Sequence, residues 1–213
     1  AININMNRIV AFGCSNTQGQ GLADLKPHNK GVSKYAWPAV LAKNLGFDVW
    51  NRGHGGASNK FILHRLLNTD FQKTDIVVIQ WTAFCRSCFI NKDKVLRMLP
   101  SDITRKVETH PESKRLHSAY YYEHFDSDYN AWYDSMVQIN MAKTHLDSLG
   151  LKNIHFTWEL GSRIAQQKTK WNKVNLIARQ FSNIDLGWDD EHPGIKSQKL
   201  MAEFMQKHLE EIL

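Results

Sequence analysis

The run Asp75-Ile76-Val77-Val78-Ile79-Gln80-Trp81 constrains this chain more than any other. Four consecutive β-branched residues between polar ends read as a strand, because branched side chains suit a pleated surface. Arg8-Ile9-Val10-Ala11-Phe12, stopped by Gly13, reads as a second, buried strand. Residues 47–51 and 153–158 are further strand candidates, and a short piece at Ile184-Asp185-Leu186 is expected as the fifth. Helical spacing fills the gaps. Trp37, Val40, Leu41 and Leu45 begin beside Pro38 and end at Gly46. Ser58 is placed to cap a helix carrying Phe61, Ile62, Arg65 and Leu66. Trp132, Met136, Ile139, Ala142, Leu146 and Leu149 mark a long amphipathic helix closed by Gly150. A last helix from about Gly194 is expected to bury Leu200, Phe204, Leu209 and Ile212. Strands alternating with helices predict an α/β fold with a mostly parallel sheet.

Length and composition narrow the class. The 213 residues, 42% of them apolar, suit one domain spanning residues 1–213 that needs neither metal nor cross-links to fold. Apolar runs stop at about four residues, far short of the roughly 20 that span a membrane. Three cysteines argue against a disulfide framework. With no apolar signal-peptide core before Ile9, they favour the cytoplasm. The net charge of +6 attracts anions in general, nucleic acid, acidic polysaccharide and anionic lipid among them. Residues 83–128 fit no clean period. They are basic, broken by Pro100 and Pro111, and contain Tyr120, Tyr121 and Tyr122, so they read as an insertion of short helices and loops. Residues 161–183 are basic and ambiguous.

In a parallel α/β sheet, ligands bind at loops leaving the carboxyl ends of the strands. Three such loops carry chemistry. In the first, Gly13-Cys14-Ser15, a Ser just past Gly can be held exposed on a tight turn, although a Ser capping the next turn is the commoner case. The second, Asn51-Arg52-Gly53-His54-Gly55-Gly56-Ala57-Ser58, has glycines whose N–H groups can face an oxyanion, or that simply make a turn. In the third, Asp189-Asp190-Glu191-His192-Pro193, Asp and His stand three apart, so the carboxylate can orient the imidazole. An acidic cap on the last helix explains the same residues more simply.

Taken together, the loops give the chain order Ser, Asp, His, which is a known triad order. Here the sequence resembles the SGNH/GDSL hydrolase family. Gly13-Cys14-Ser15 looks like that family's first block, where Asp more often stands at the Cys14 position. Residues 35–41 are similar to the helix that follows, residues 51–58 to the second block with Gly56 at the oxyanion-hole glycine, and Asp189-x-x-His192-Pro193 to the last block. The likeness spans nearly the whole chain except 83–128 and 161–183. It implies a flavodoxin-like three-layer α/β/α sandwich with a mostly parallel five-stranded sheet. It further implies a serine esterase acting on acyl or acetyl esters, on carbohydrate in particular, through an acyl-enzyme and with no cofactor or metal. Ser15 would be the nucleophile, His192 the base and Asp189 its orienter. The oxyanion hole would be Ser15, Gly56 and Thr82, with His54, Trp81 and Arg86 against the substrate.

One block departs. The family's third block carries an Asn that donates to the oxyanion, whereas Gln80-Trp81-Thr82-Ala83-Phe84-Cys85-Arg86 has none, leaving Thr82 or Arg86 to substitute. This motivates an alternative, a weakly active or inactive glycan-binding module on the same fold. Cys85-Arg86-Ser87-Cys88 superficially suits a dithiol oxidoreductase, but two ordinary thiols explain it as well. His110, His117 and His124 recur every seven residues and read as surface histidines. Arg86, Lys92, Lys94, Arg97, Arg105 and Lys106 read as a solvated face, or, with the three tyrosines, as a lid over an anionic sugar rather than a nucleic-acid site.

Overall fold

The computed structural model describes residues 7–25, 31–92, 94–103, 112–124, 127–158, 174–179 and 183–213. In chain order these form β1 (Arg8–Phe12), α1 (Ser15–Gln18), α2 (Trp37–Leu45), β2 (Asp48–Asn51), α3 (Asn59–Leu67), β3 (Asp75–Trp81), β4 (Ser87–Asn91), β5 (Lys94–Met98), a 3-10 turn (Pro100–Asp102), α4 (Glu112–His124), α5 (Asp128–Ser148), β6 (Lys152–Thr157), β7 (Leu176–Ala178) and α6 (Ile195–Glu210).

Every residue of β3 is buried, because helices cover both faces of the sheet it centres. Five strands pair in the order β2-β1-β3-β6-β7, all parallel. On one face Val10, Phe12, Val77 and Ile79 meet Ile62 and Leu66 of α3 and Met136, Ile139 and Leu146 of α5. On the other, Ile9, Ala11, Ile76, Val78, Ile154 and Phe156 meet Trp37 and Leu41 of α2 and Met201, Met205 and Leu209 of α6. The period of two along each strand sends alternate side chains to alternate helical layers. The result is a three-layer α/β/α sandwich in the flavodoxin-like strand order, whose switch point lies between β1 and β3.

The helix signals act as read. Pro38 sits in the first turn of α2, Gly46 ends it in left-handed backbone (φ 69), and the Ser58 hydroxyl accepts from Phe61 N–H. Three expectations change. The fifth strand is β7, not Ile184-Asp185-Leu186. There only Leu186 pairs, in an isolated antiparallel bridge to Pro193, because Asp185 turns back to accept from Ser197 and Lys196 N–H and so starts α6. The 83–128 segment holds an antiparallel hairpin, β4 with β5, and a helix, α4, rather than short helices and loops alone. Along α6 the buried stripe runs through Met201, Ala202, Met205 and Leu209, with Phe204 at its margin and Ile212 exposed beyond the helix end. Of the basic and histidine positions weighed above, Arg105, Lys106 and His110 lie outside the described residues. His117 and His124 are exposed on α4. No helix among the described residues is long and apolar enough to cross a membrane.

Candidate active site

β1 delivers the chain to Gly13, where a side chain would stand 2.0 Å from Thr17 Oγ1 and 3.1 Å from the Gln80 carbonyl. Only a glycine lets the chain fold back this tightly. Ser15 then opens α1 at the carboxyl edge of the sheet, nearly buried, while Cys14 beside it is sealed in the core. A polar network beneath fixes the turn. Thr17 Oγ1 donates to Gln80 Oε1 at 2.9 Å, and Trp37 Nε1 donates to the same oxygen at 3.2 Å. Gln198 of α6 accepts from Trp37 N–H at 2.8 Å and donates to Asn16 O at 3.2 Å. Buried amide groups are tolerated when each is satisfied in this way.

The second loop is laced to the first. Asn51 Nδ2 donates to Thr17 O at 2.6 Å, His54 N–H to Gly13 O at 3.0 Å, and Gly55 N–H to Gln18 Oε1 at 2.7 Å. Gly53 lets the loops approach, since a Cβ there would lie 2.4 Å from Gln18 N. Among the described residues, the N–H groups of Ser15 and Gly56 donate to nothing. An N–H in the first turn of a helix has no intrahelical acceptor, and the left-handed backbone of Gly56 (φ 68) frees the other.

The third loop precedes α6. Asp189 Oδ2 accepts from His192 Nδ1–H at 2.7 Å, while Oδ1 accepts from the backbone N–H of His192 at 3.1 Å and of Glu191 at 3.2 Å. Asp190 takes left-handed backbone (φ 54), closing the turn that brings His192 over Asp189. Burial works to raise the Asp189 carboxyl. The hydrogen bonds from His192 and Glu191 outweigh it and hold the group below the usual carboxylate range. The pair is clamped onto the first loop by backbone. Trp188 N–H donates to Gly21 O at 2.9 Å, and a Cβ on Gly187 would lie 2.3 Å from that oxygen. Gly21 itself (φ +82) lies against the Asp189 carboxylate.

Ser15, Arg86, Glu191 and His192 together border two lobes of a cavity. One lobe, about 410 Å³, is walled by Asn16, Gln80, Trp158, Pro193 and Met201. The other, about 580 Å³, is walled by Gln20, Gly55, Gly56, Arg97, Leu99, Ser101 and Lys114. Ser15 Oγ makes no hydrogen bond among the described residues, and His192 approaches it as a co-liner of the same cavity.

Three expected site residues line neither lobe. Trp81 is wholly buried, its indole N–H donates to His155 Nδ1 at 3.0 Å in the layer under α5, and it lines neither lobe. Thr82 is also sealed. Its N–H donates to Asn59 Oδ1 at 2.9 Å, its hydroxyl is buried without a partner among the described residues, and it lines neither lobe. His54 props the Gly loop from behind, its Nδ1 bonded to Gly55 O and its ring edge-on to Phe61, and it lines neither lobe. Desolvation, with help from the charges of Arg97 and Arg65, pushes its pKa down. Arg86, in contrast, lies on the cavity wall. Residues the sequence did not single out are Gly21, Gln80, Gln198 and Asn59. Asn59 ties the start of α3 to Thr82 O and to Ser135 of α5. Cys88 is buried at the start of the hairpin, and burial pushes its thiol up, the opposite of an activated thiol. Among the described residues, no group of three or more His, Cys, Asp and Glu side chains is placed to hold a metal ion.

No family model matches the chain, and no curated protein does. Solved structures share its fold. A carbohydrate esterase, described as having an active site with divergent catalytic and non-catalytic binding functions, superposes with a TM-score of 0.59 at 15% identity, over 96% of this chain and 65% of its own. TesA superposes at 0.56 with 17% identity, over 97% of this chain and 100% of its own. The acetyl xylan esterase Est2A of the rumen bacterium Butyrivibrio proteoclasticus superposes at 0.55 with 16% identity, over 96% and 64%. The chain thus spans just under two thirds of the length of the first and third of these structures. At such identities the likeness is one of fold.

Proposed function

We propose that this protein is a serine esterase of the SGNH type. One observation carries the reading: the Asp189–His192 pair borders the same cavity as Ser15, beside two backbone N–H groups that donate to nothing among the described residues. Ser15 Oγ attacks the ester carbonyl as His192 takes its proton. The carbonyl oxygen, now negative, is received by the N–H groups of Ser15 and Gly56. As the intermediate collapses, the C–O bond to the alcohol breaks and His192 returns the proton to the leaving oxygen. Water, activated by the same imidazole, then hydrolyses the acyl-enzyme. Asp189, held ionised, fixes the tautomer and balances the charge on His192. Ser15–His192 contacts of this kind tighten when substrate binds, so the unbonded serine is consistent with the mechanism. Short acyl or acetyl esters, on carbohydrate in particular, are the substrates proposed, a reading supported by the esterases that share the fold.

The test is hydrolysis of p-nitrophenyl acetate, with mapping of the peptide labelled by a fluorophosphonate. Label on Ser15 and loss of turnover in Ser15→Ala and His192→Ala support the proposal. Equal rates in all three proteins overturn it. A second reading, a glycan-binding module, draws on the sealed Thr82, which leaves no hydroxyl where the family has an Asn donor. It requires glycan binding with no turnover and no label.

A further inference from the structure

We infer that the larger lobe receives an anionic group, a carboxylate, sulfate or phosphate, carried by the ester bound at Ser15, and that Arg86 and Arg97 are its receivers. This rests on the esterase reading and names its substrate class.

Arg86 sits on the turn after β3, held by the bond from its N–H to Ala83 O at 3.2 Å. Its guanidinium carbon lies 5.8 Å from the centre of the Trp158 ring. Its Nη1 is buried and has no hydrogen-bond partner among the described residues. A buried cationic donor with nothing to donate to is costly and uncommon in folded proteins, and it marks a place where a partner belongs. Arg97 comes from the hairpin strand β5. Its Nη1 donates to Gly55 O, beside the oxyanion glycine, and this leaves Nε and Nη2 without partners among the described residues. Two guanidinium groups bordering one lobe suit the paired acceptor oxygens that a carboxylate, sulfate or phosphate presents.

The rest of the wall does not cancel them. Lys114 donates to Asp102 Oδ1 at 3.3 Å, so that ammonium and carboxylate neutralise each other. Glu191 is the remaining carboxylate on the border, and it is exposed. Because Gly56 and Ser15 border the same lobe, an anion seated there belongs to the molecule whose carbonyl faces Ser15. A neutral ester leaves both guanidinium groups unmatched, so the lobe discriminates by charge.

The experiment uses 3-acetoxybenzoate and its neutral counterpart, methyl 3-acetoxybenzoate, with 3-acetoxyphenyl sulfate and phosphate as further arms to separate the anion classes. Binding to the full chain carrying Ser15→Ala is measured by calorimetry at low salt and at about 0.5 M salt, where exposed charges are screened. The Ser15→Ala protein is expected to bind an anionic probe about tenfold to a hundredfold more tightly than the methyl ester, the range of a charge-assisted hydrogen bond. Adding Arg86→Gln, which breaks no side-chain hydrogen bond among the described residues, reduces that preference to about threefold or less, with melting temperature as the check on folding. Arg97→Lys, which keeps the charge and loses the fork, reduces it part of the way. Wild-type kcat/KM shows the same preference. Equal binding of the anionic and neutral probes overturns the inference, even with both hydrolysed at Ser15. If the preference stands but wild type hydrolyses neither ester, the anion site survives and the esterase reading falls.

Discussion

Gly21→Ala isolates how the Asp189–His192 pair is held. Gly21 has φ +82, and an added Cβ would lie 2.6 Å from Asp189 Oδ1 and 2.9 Å from its Cγ. Ordinary van der Waals contact begins near 3.4 Å. The substitution therefore carries two costs. Left-handed backbone costs a non-glycine residue about 1–2 kcal/mol. The carboxylate must also retreat by roughly 1 Å, and His192 with it, a misplacement worth about 10² in rate. Gly46→Ala supplies the control. Its φ is +69, nothing lies within 4 Å of the added Cβ, and it ends α2 away from the cavity. Both variants should lose about 2–8 °C in melting temperature, by the usual scaling for a chain of this size. Only Gly21→Ala should lose about 10² in kcat/KM for p-nitrophenyl acetate and label slowly with a fluorophosphonate. Equal kcat/KM in the two variants would refute the argument that Gly21 seats the carboxylate.

Three further outcomes follow from the same geometry. Asp189→Asn is expected to cost about 10³–10⁴ in kcat while leaving fluorophosphonate access open, because the imidazole loses the acceptor that fixes its tautomer. The Asp189 carboxyl is depressed in the native state, so its stabilisation is complete above the ordinary Asp range and fades as pH falls through the native value. Asn at 189 removes that acid-side loss, as urea unfolding below pH 4 will read. His155 is pushed down to about 3, by burial first and the Lys143 charge second, with Asp147 opposing. The unfolded chain binds a proton near pH 6.5 that the native ring refuses, so stability falls by about 2–3 kcal/mol between pH 7 and 4.5. His155→Gln flattens that slope, and an unchanged slope would contradict the neutral ring. Finally, Cys85→Ser leaves ester hydrolysis intact, and wild type reduces insulin no faster than buffer.

The parts of the fold legible in the sequence are those whose burial is dictated locally. β1 and β3 are covered on both faces, so their apolar residues are consecutive. α2 and α3 carry their own caps. β7 is three residues long in a basic segment and is recruited by pairing with β6, a tertiary effect with no local signal. The β4–β5 hairpin mixes Arg97, Lys94 and the exposed Phe89 with buried Cys88 and Met98, which blurs its alternation. At the candidate site, Ser15, Gly56 and His192, which border one lobe, and Asp189, which pairs with His192, were proposed from spacing and resemblance, which follow the backbone. Trp81 and Thr82 were misplaced for a simple reason. They leave the right strand at the right end, but the layer into which each side chain points is set by packing against His155 and Asn59. Gly21 reaches the site only through contacts distant in sequence, so no local pattern could announce it.

The clamp of Gly187 and Trp188 on Gly21 bears on how such a site can change over time. The loop bearing Asp189 and His192 is registered to the loop bearing Ser15 through main-chain atoms and glycines. Side chains of the cavity wall, Arg86, Arg97 and Trp158 among them, take no part in that registration. The alignment and the selectivity are therefore separable traits. Under the proposed esterase reading, substitutions on the wall can redirect the protein toward a different ester while the geometry of Ser15, Asp189 and His192 is inherited intact.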